Sequence, residues 1–183
     1  MKHSVTQGSL RDVKIIAGLG NPGTRYATTY HNVGLLALDY LAHALGGLKF
    51  QPVREEPFAY AKRDSLVLVK PNLPMNESGR AVALALKFFR LKPRELLVIH
   101  DDSDILLNNI KFSFGRGPAG HRGVTSLITH LKTKNFWRAR IGIRKTRGKA
   151  GEFVLRKISH SDLRAFHSVV SELTRKFSEN DDV

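Results

Sequence analysis

The chain has 183 residues, 42% of them apolar, which is enough for one domain with its own core and too apolar for a disordered chain. Thirty Lys and Arg against 16 Asp and Glu give a net charge of +14, so polyanions are the favoured partners. No run approaches the roughly 18 consecutive apolar residues of a membrane helix, and the opening MKHSVTQGSL lacks the apolar middle of a secretory signal. A soluble protein with no membrane partner is therefore expected.

The absence of Cys removes disulfides and a thiol nucleophile. The eight His include no pair spaced i, i+3 or i, i+4, the spacing of a helical metal site, so neither a metal nor a cofactor is expected.

Residues 1–12 are polar and read as a loose segment, and residues 179–183 read as a short acidic tail. Between them, residues 13–178 are expected to form the domain. Residues 13–19 read as a buried strand. The next apolar stripe, from Val33 through Leu36, Tyr40 and Leu41 to Leu45, has helical spacing and stops at Gly46-Gly47, so its helix starts near Asn32. Residues 58–62 and 66–70 flank Arg63-Asp64-Ser65 as a hairpin. Asn76 reads as the cap of a helix over 81–89.

The run Leu96-Leu-Val-Ile99 suits a central strand covered on both faces, and polar chemistry begins where it stops, at His100-Asp101-Asp102-Ser103-Asp104. A strand over 110–114, a loop over 115–123 and a helix over 124–131 follow. In Trp137-Arg-Ala-Arg-Ile-Gly-Ile-Arg144, Trp137, Ala139, Ile141 and Ile143 alternate with Arg138, Arg140 and Arg144, the pattern of a half-exposed strand with one core face and one basic face. The last element is a helix after Ser159. Alternating strands and helices predict a single three-layer α/β domain with a mixed, mostly parallel central sheet flanked by helices.

Charge is unevenly distributed. Residues 105–151 hold no acid and eleven Lys and Arg. Solvated surfaces normally mix the two signs, so this stretch points to a phosphate-binding face and to nucleic acid.

Gly18-x-Gly20-x-x-Gly23 after an apolar run spells a dinucleotide-binding loop, but that loop needs its helix to open at the third glycine. Here residues 24–31 carry no apolar stripe, and Asp39, about where a ribose-binding acid belongs, falls inside a helix. What the stretch supplies is Asn21 at the carboxyl end of a strand and His31 before a helix. In open α/β sheets ligands bind at that edge. Asp101 falls there after the 96–99 run, and Asn76 joins it if the arm ending at Lys70 runs parallel to the first strand. An imidazole, a carboxylate to orient it and several amides make a hydrolytic site that needs neither metal nor covalent nucleophile.

Taken singly, the same residues have structural explanations: Asn21 as a turn former, Asn76 as a helix cap, His31 as a structural histidine. A calcium loop starting at Asp101 or Asp102 fails at its fifth position, Ile105 or Leu106. No nucleophile elbow surrounds Ser103, which removes a serine triad.

Together Gly18-Leu-Gly-Asn-Pro-Gly-x-x-Tyr26, His31-Asn32-x-Gly34, Met75-Asn76-x-Ser78-Gly79, His100-Asp101-Asp102 and Gly120-His121-x-Gly123 resemble, in order, the bacterial-type peptidyl-tRNA hydrolase family. The resemblance runs over about residues 14–177. It implies hydrolysis of the ester between peptide and tRNA, with peptidyl-tRNA as partner, action as a monomer, and a cytoplasmic or organellar-matrix location.

His31 matches the family's catalytic histidine and Asp101 its carboxylate. Asn21 and Asn76 match asparagines that hold the substrate end, with Tyr26 and Met75 beside them as substrate-binding residues. Arg140 matches an arginine that contacts tRNA phosphate.

Two positions depart from the family. Arg122 stands where the loop usually has Asn, at a position that helps to arrange water and substrate. Ser113 replaces a basic residue in the preceding strand, while Arg116 appears inside the loop, so Arg116 is grouped with Arg140 as a phosphate contact and Arg122 with the substrate residues. Arg122 also leaves open an alternative reading, a non-catalytic RNA-binding protein of the same fold.

Overall fold

The computed structural model describes residues 9–145 and 154–178. The acidic tail, Arg147 and Lys149 lie outside the described residues. Within the first dozen residues, read from sequence as loose, Leu10–Asp12 form a 3-10 turn capped by Ser9, whose Oγ accepts from the Arg11 N–H.

The elements are β1 (Ile15–Gly18), α1 (Val33–Ala44), β2 (Gln51–Pro52), β3 (Phe58–Arg63), β4 (Leu66–Pro71), α2 (Ser78–Phe88), β5 (Leu96–Leu106), β6 (Ile110–Phe114), α3 (Arg122–Leu131), β7 (Trp137–Arg144) and α4 (His160–Ser178). Among the described residues they build one seven-stranded sheet in the order β2-β3-β4-β1-β5-β7-β6. Strands β4, β1, β5 and β7 run parallel, while β2, β3 and β6 are antiparallel additions at the two edges. The arm ending at Lys70 therefore does run with β1.

Strand parity separates two cores. Ile16, Leu68, Leu97, Ile99, Ala139 and Ile141 face α1 and α4, whereas Ile15, Ala17, Val67, Val69, Leu96 and Val98 face α2 and α3. Each such side chain removed from water contributes about 1.5–3 kcal/mol, which keeps the parallel centre covered on both faces. The result is the expected three-layer α/β domain.

The glycines of the opening motif serve packing. A Cβ at Gly34 would lie 2.3 Å from the Ile99 carbonyl oxygen, and one at Gly18 would lie 2.4 Å from the Gly34 carbonyl oxygen. The first turn of α1 thus rests directly on the ends of β1 and β5. Two 3-10 turns, Thr24–Tyr26 and Tyr30–Asn32, fill the gap before α1, so α1 does not open at the third glycine as a dinucleotide loop requires, and Asp39 is an exposed residue of α1.

Four readings need correction. Strand β5 does not stop at Ile99 but continues to Leu106, because its main chain keeps pairing with β7 at His100, Asp101 and Asp102 whatever the side chains are. Asn76 caps no helix: it lies in a 3-10 turn, Met75–Glu77, that runs straight into α2 at Ser78. Helix α3 begins at Arg122, two residues earlier than expected, with His121 as its N-cap. Strand β7 is not half-exposed: it lies inside the sheet between β5 and β6, with Ser113 beside Arg138 and Lys111 beside Arg140, and of its residues only Trp137, Arg140 and Arg144 are partly exposed. Arg138 is only 3% exposed.

Candidate active site

The carboxyl ends of β1, β4 and β5 open into a cleft of about 540 Å³. Asn21, Tyr26, His31, Met75, Asn76, Asp101 and Arg122 all line it, so all the catalytic and substrate-binding residues expected from the sequence meet in one place.

His31 sits on the 3-10 turn just before α1, and its Nδ1 lies 2.9 Å from Oδ1 of Asp101 on β5. Asp101 is buried. Burial alone would raise its carboxyl, but the attraction and hydrogen bond of His121, with the hydrogen bond and attraction of His31, outweigh that and hold it below the usual carboxylate range. An ionised Asp101 accepts hydrogen bonds, so His31 donates through Nδ1, and its Nε2 has no protein partner among the described residues.

His121, which was not singled out as a site residue, supplies the second donor: its Nε2 lies 2.9 Å from the same Asp101 oxygen. Its Nδ1 accepts from the backbone N–H groups of Gly123 and Val124, at 3.1 and 3.3 Å, capping α3. The cap fixes the tautomer. With Nδ1 an acceptor, the proton is on Nε2, where Asp101 receives it. The sequence signal was present in Gly120-His121-x-Gly123, in which Gly120 adopts a φ of +81°.

His100 packs edge-on against His121 with ring centroids 4.6 Å apart, and its Nδ1 donates to the Asp101 carbonyl at 2.6 Å. Burial, reinforced by His121, keeps this imidazole neutral, with its pKa well below the ordinary histidine value. It forms an uncharged wall behind the carboxylate.

The His31, Asp101 and His121 donor atoms lie within 4.8 Å of one another, as a metal site would require. The donor chemistry argues otherwise. A metal would need the lone pair of His121 Nε2, and Nδ1 would then have to bear the proton while facing two backbone N–H groups. These residues fit a hydrogen-bonded relay.

Asn21 is held from two sides. Its backbone N–H donates to Asn32 Oδ1 at 2.8 Å, and Asn32 Nδ2 returns a bond to the Asn21 carbonyl at 2.9 Å. Its side-chain Oδ1 accepts from the Met75 N–H at 2.9 Å, which leaves Nδ2 as the donor toward the cleft. Asn32, buried and unnoticed in the sequence except as part of a motif, is thus the brace of Asn21. Met75 is a buried wall, and Asn76 is exposed at the rim. The Arg25 guanidinium lies 4.5 Å from the centroid of the Tyr26 ring.

The arginines are placed differently. Arg122 is exposed at the first turn of α3 and makes no hydrogen bond or ion pair among the described residues. Arg116 is exposed in the loop between β6 and α3, away from the cleft. Arg140 is part-buried, and its Nε donates to Asp102 Oδ2 at 2.8 Å, while Asp102 Oδ1 accepts from the Asp104 N–H at 2.9 Å. Val154 and Leu155 complete the cleft wall. Nothing in the sequence marked them, because they reach the site from more than 120 residues beyond His31.

A family model described as peptidyl-tRNA hydrolase matches residues 15–180. The peptidyl-tRNA hydrolase of Akkermansia muciniphila is 45% identical over 142 residues, covering 78% of this chain and 74% of that protein. That of Mycobacterium ulcerans is 43% identical over 151 residues, covering 79% and 78%. The crystal structure of peptidyl-tRNA hydrolase from Acinetobacter baumannii superposes with a TM-score of 0.83 at 28% identity, covering 92% of this chain and 88% of that one. No described helix is long and apolar enough to cross a membrane. Motif order, sheet topology and these matches agree: the chain belongs to the peptidyl-tRNA hydrolase family.

Proposed function

We propose that the protein hydrolyses the ester joining a peptide to the 3′ ribose of tRNA, freeing the tRNA for reuse, with His31 as general base. The observation that carries this reading is the orientation of His31: Nδ1 is committed to an ionised, buried Asp101, so the basic lone pair is on Nε2 in a ring that lines the cleft.

Nε2 takes a proton from water as the oxygen attacks the ester carbonyl. Asp101 stabilises the imidazolium that forms and keeps the ring from turning. When the carbonyl–ribose bond breaks, the same proton passes to the departing ribose oxygen, which restores neutral His31. The Asn76 amide at the rim donates to the developing oxyanion, and the Asn21 Nδ2 holds the substrate end. Tyr26 and Met75 wall the peptide. Arg140, Arg116 and Arg122 supply positive charge to the RNA backbone, in keeping with the acid-free stretch over residues 105–151.

The test is incubation with an N-blocked peptidyl-tRNA and, in parallel, with aminoacyl-tRNA. Release from the first substrate alone is expected. His31→Ala is expected to lower turnover by on the order of 10² to 10⁴ with tRNA binding nearly intact, and Asp101→Asn to have a smaller effect in the same direction. Full turnover by His31→Ala overturns the mechanism, and binding without release by the wild type makes the chain an RNA-binding protein of the same fold.

A further inference from the structure

The residue preceding the base makes a contact that the hydrolytic reading does not use. The Tyr30 ring is 6% exposed in the core against α4, and its hydroxyl donates to Oδ2 of Asp162, a buried residue of that helix. Lys145, just past the end of β7, forms an ion pair with the same oxygen at 2.5 Å. Burial by itself would raise the Asp162 carboxyl, but hydrogen bonds from Lys145, Tyr30 and Ser159 hold it below its ordinary value. Tyr30 is shifted the other way, raised by burial and by Asp162, so the phenol is the donor and the carboxylate the acceptor.

Around this contact the main chain of the catalytic turn is laced to a second segment. The Ile158 N–H donates to the Thr28 carbonyl at 2.8 Å, the Tyr30 N–H to the Arg156 carbonyl at 3.2 Å, and the His31 N–H to the Val154 carbonyl at 2.8 Å. Thr29 and Lys157 form an antiparallel bridge. Val154 and Leu155 of the same strap line the cleft.

His31 is therefore held at three points: its ring by Asp101 from β5, its backbone by the 154–158 strap, and its turn by the neighbouring Tyr30, which ties that turn to α4 through Asp162. A buried carboxylate that loses one partner keeps the cost of its burial, so the lock resists loosening.

We propose that Tyr30, acting through Asp162, is a positioning residue for His31: the hydroxyl–carboxylate contact fixes the turn that carries the imidazole and the strap that walls the cleft beside it. This rests on the reading of His31 as the base. A shift of the imidazole by even about 1 Å, too small to disturb substrate binding, can lower turnover by as much as about 10².

The experiment compares wild type, Tyr30→Phe and Asp162→Asn by steady-state hydrolysis of peptidyl-tRNA, and by NMR of the histidine rings in the free protein. Tyr30→Phe keeps the ring that packs in the core and removes only the hydroxyl. Asp162→Asn replaces the charged acceptor with a neutral amide, which weakens the bond from the Tyr30 hydroxyl and the pair with Lys145, and it serves if Tyr30→Phe does not fold. In either variant the expected result is a kcat reduced by about 10-fold with KM within about two-fold, and a His31 Nδ1–H resonance that is broadened or lost. Kinetics within two-fold of wild type together with an unchanged His31 resonance, even with a lowered melting temperature, would make the contact purely structural and overturn the proposal. If the wild type itself does not hydrolyse the ester, the hydrolytic reading fails, and the NMR comparison alone decides whether Tyr30 positions the His31 ring.

Discussion

His31 and His121 converge on a single atom: each donates a ring N–H to Oδ1 of Asp101 at 2.9 Å. The chain of cause begins in the backbone. The first N–H groups of α3 point at His121 Nδ1, which puts the His121 proton on Nε2, helps to keep Asp101 ionised, and so commits His31 to donating through Nδ1. A helix cap thereby acts on the protonation pattern of His31.

His121→Ala should accordingly lower kcat by about 10-fold and, through loss of the cap, cost about 1 kcal/mol of stability. Stability should also depend on pH in a specific way. The Asp101 carboxyl is depressed in the folded state, so its contribution is present above the unfolded carboxylate pKa of about 3.9 and is lost as pH falls through the lower folded value. Removing His121 raises the folded value toward the unfolded one, so Asp101 contributes less to acid unfolding, and the fall of melting temperature with pH below about 3.9 should become shallower. An unchanged slope would show that His31 alone holds the carboxylate.

Arg140 reaches the basic side of the sheet with its Nε already engaged by Asp102. Arg140→Ala should raise KM more than it lowers kcat, and flatten the dependence of log K on log salt by up to about one unit. Arg140→Lys should not restore binding, because an ammonium cannot bond Asp102 and present a planar fork to phosphate at once. A change confined to kcat with the salt slope intact would place Arg140 in the chemistry.

Arg122 stands exposed at the cleft rim with no protein partner among the described residues, as a side chain free to meet a polyanion does. Arg122→Asn should keep or raise kcat while weakening tRNA binding and reducing its salt dependence. Loss of turnover at unchanged KM would instead make the guanidinium part of the reacting centre.

Gly34→Ala tests the seat of the turn that carries His31. The added Cβ would lie 2.3 Å from the Ile99 oxygen and 2.6 Å from the Leu19 oxygen, both backbone atoms that no rotamer change can move. The first turn of α1 must lift, at a cost of about 1–3 kcal/mol, and should carry His31 with it. Thermal melts should show the loss, and kcat should fall well below the melting temperature. An unchanged kcat in the folded variant would separate the seat of the helix from the placement of His31.

By itself the sequence indicated the main strands and helices, though not β2, the 3-10 turns or every boundary. It also placed Asn21 and Asp101 at one edge of the sheet, with Asn76 joining them only if the strand ending at Lys70 ran parallel, set His31 before a helix, and marked the basic stretch. Those are local or periodic properties: an apolar stripe states which side of an element is buried, and a run of one charge sign survives any folding. Only the tertiary structure decided that His121 shares the carboxylate with His31, that Arg138 is buried, that Asp102 occupies Arg140, and that Val154 and Leu155 wall the cleft. Periodicity assigns a side chain to a face but not to a partner. Each of these relationships joins residues 20 or more positions apart, or depends on which strand lies alongside, and sheet order and register settle such pairings once the whole chain has packed.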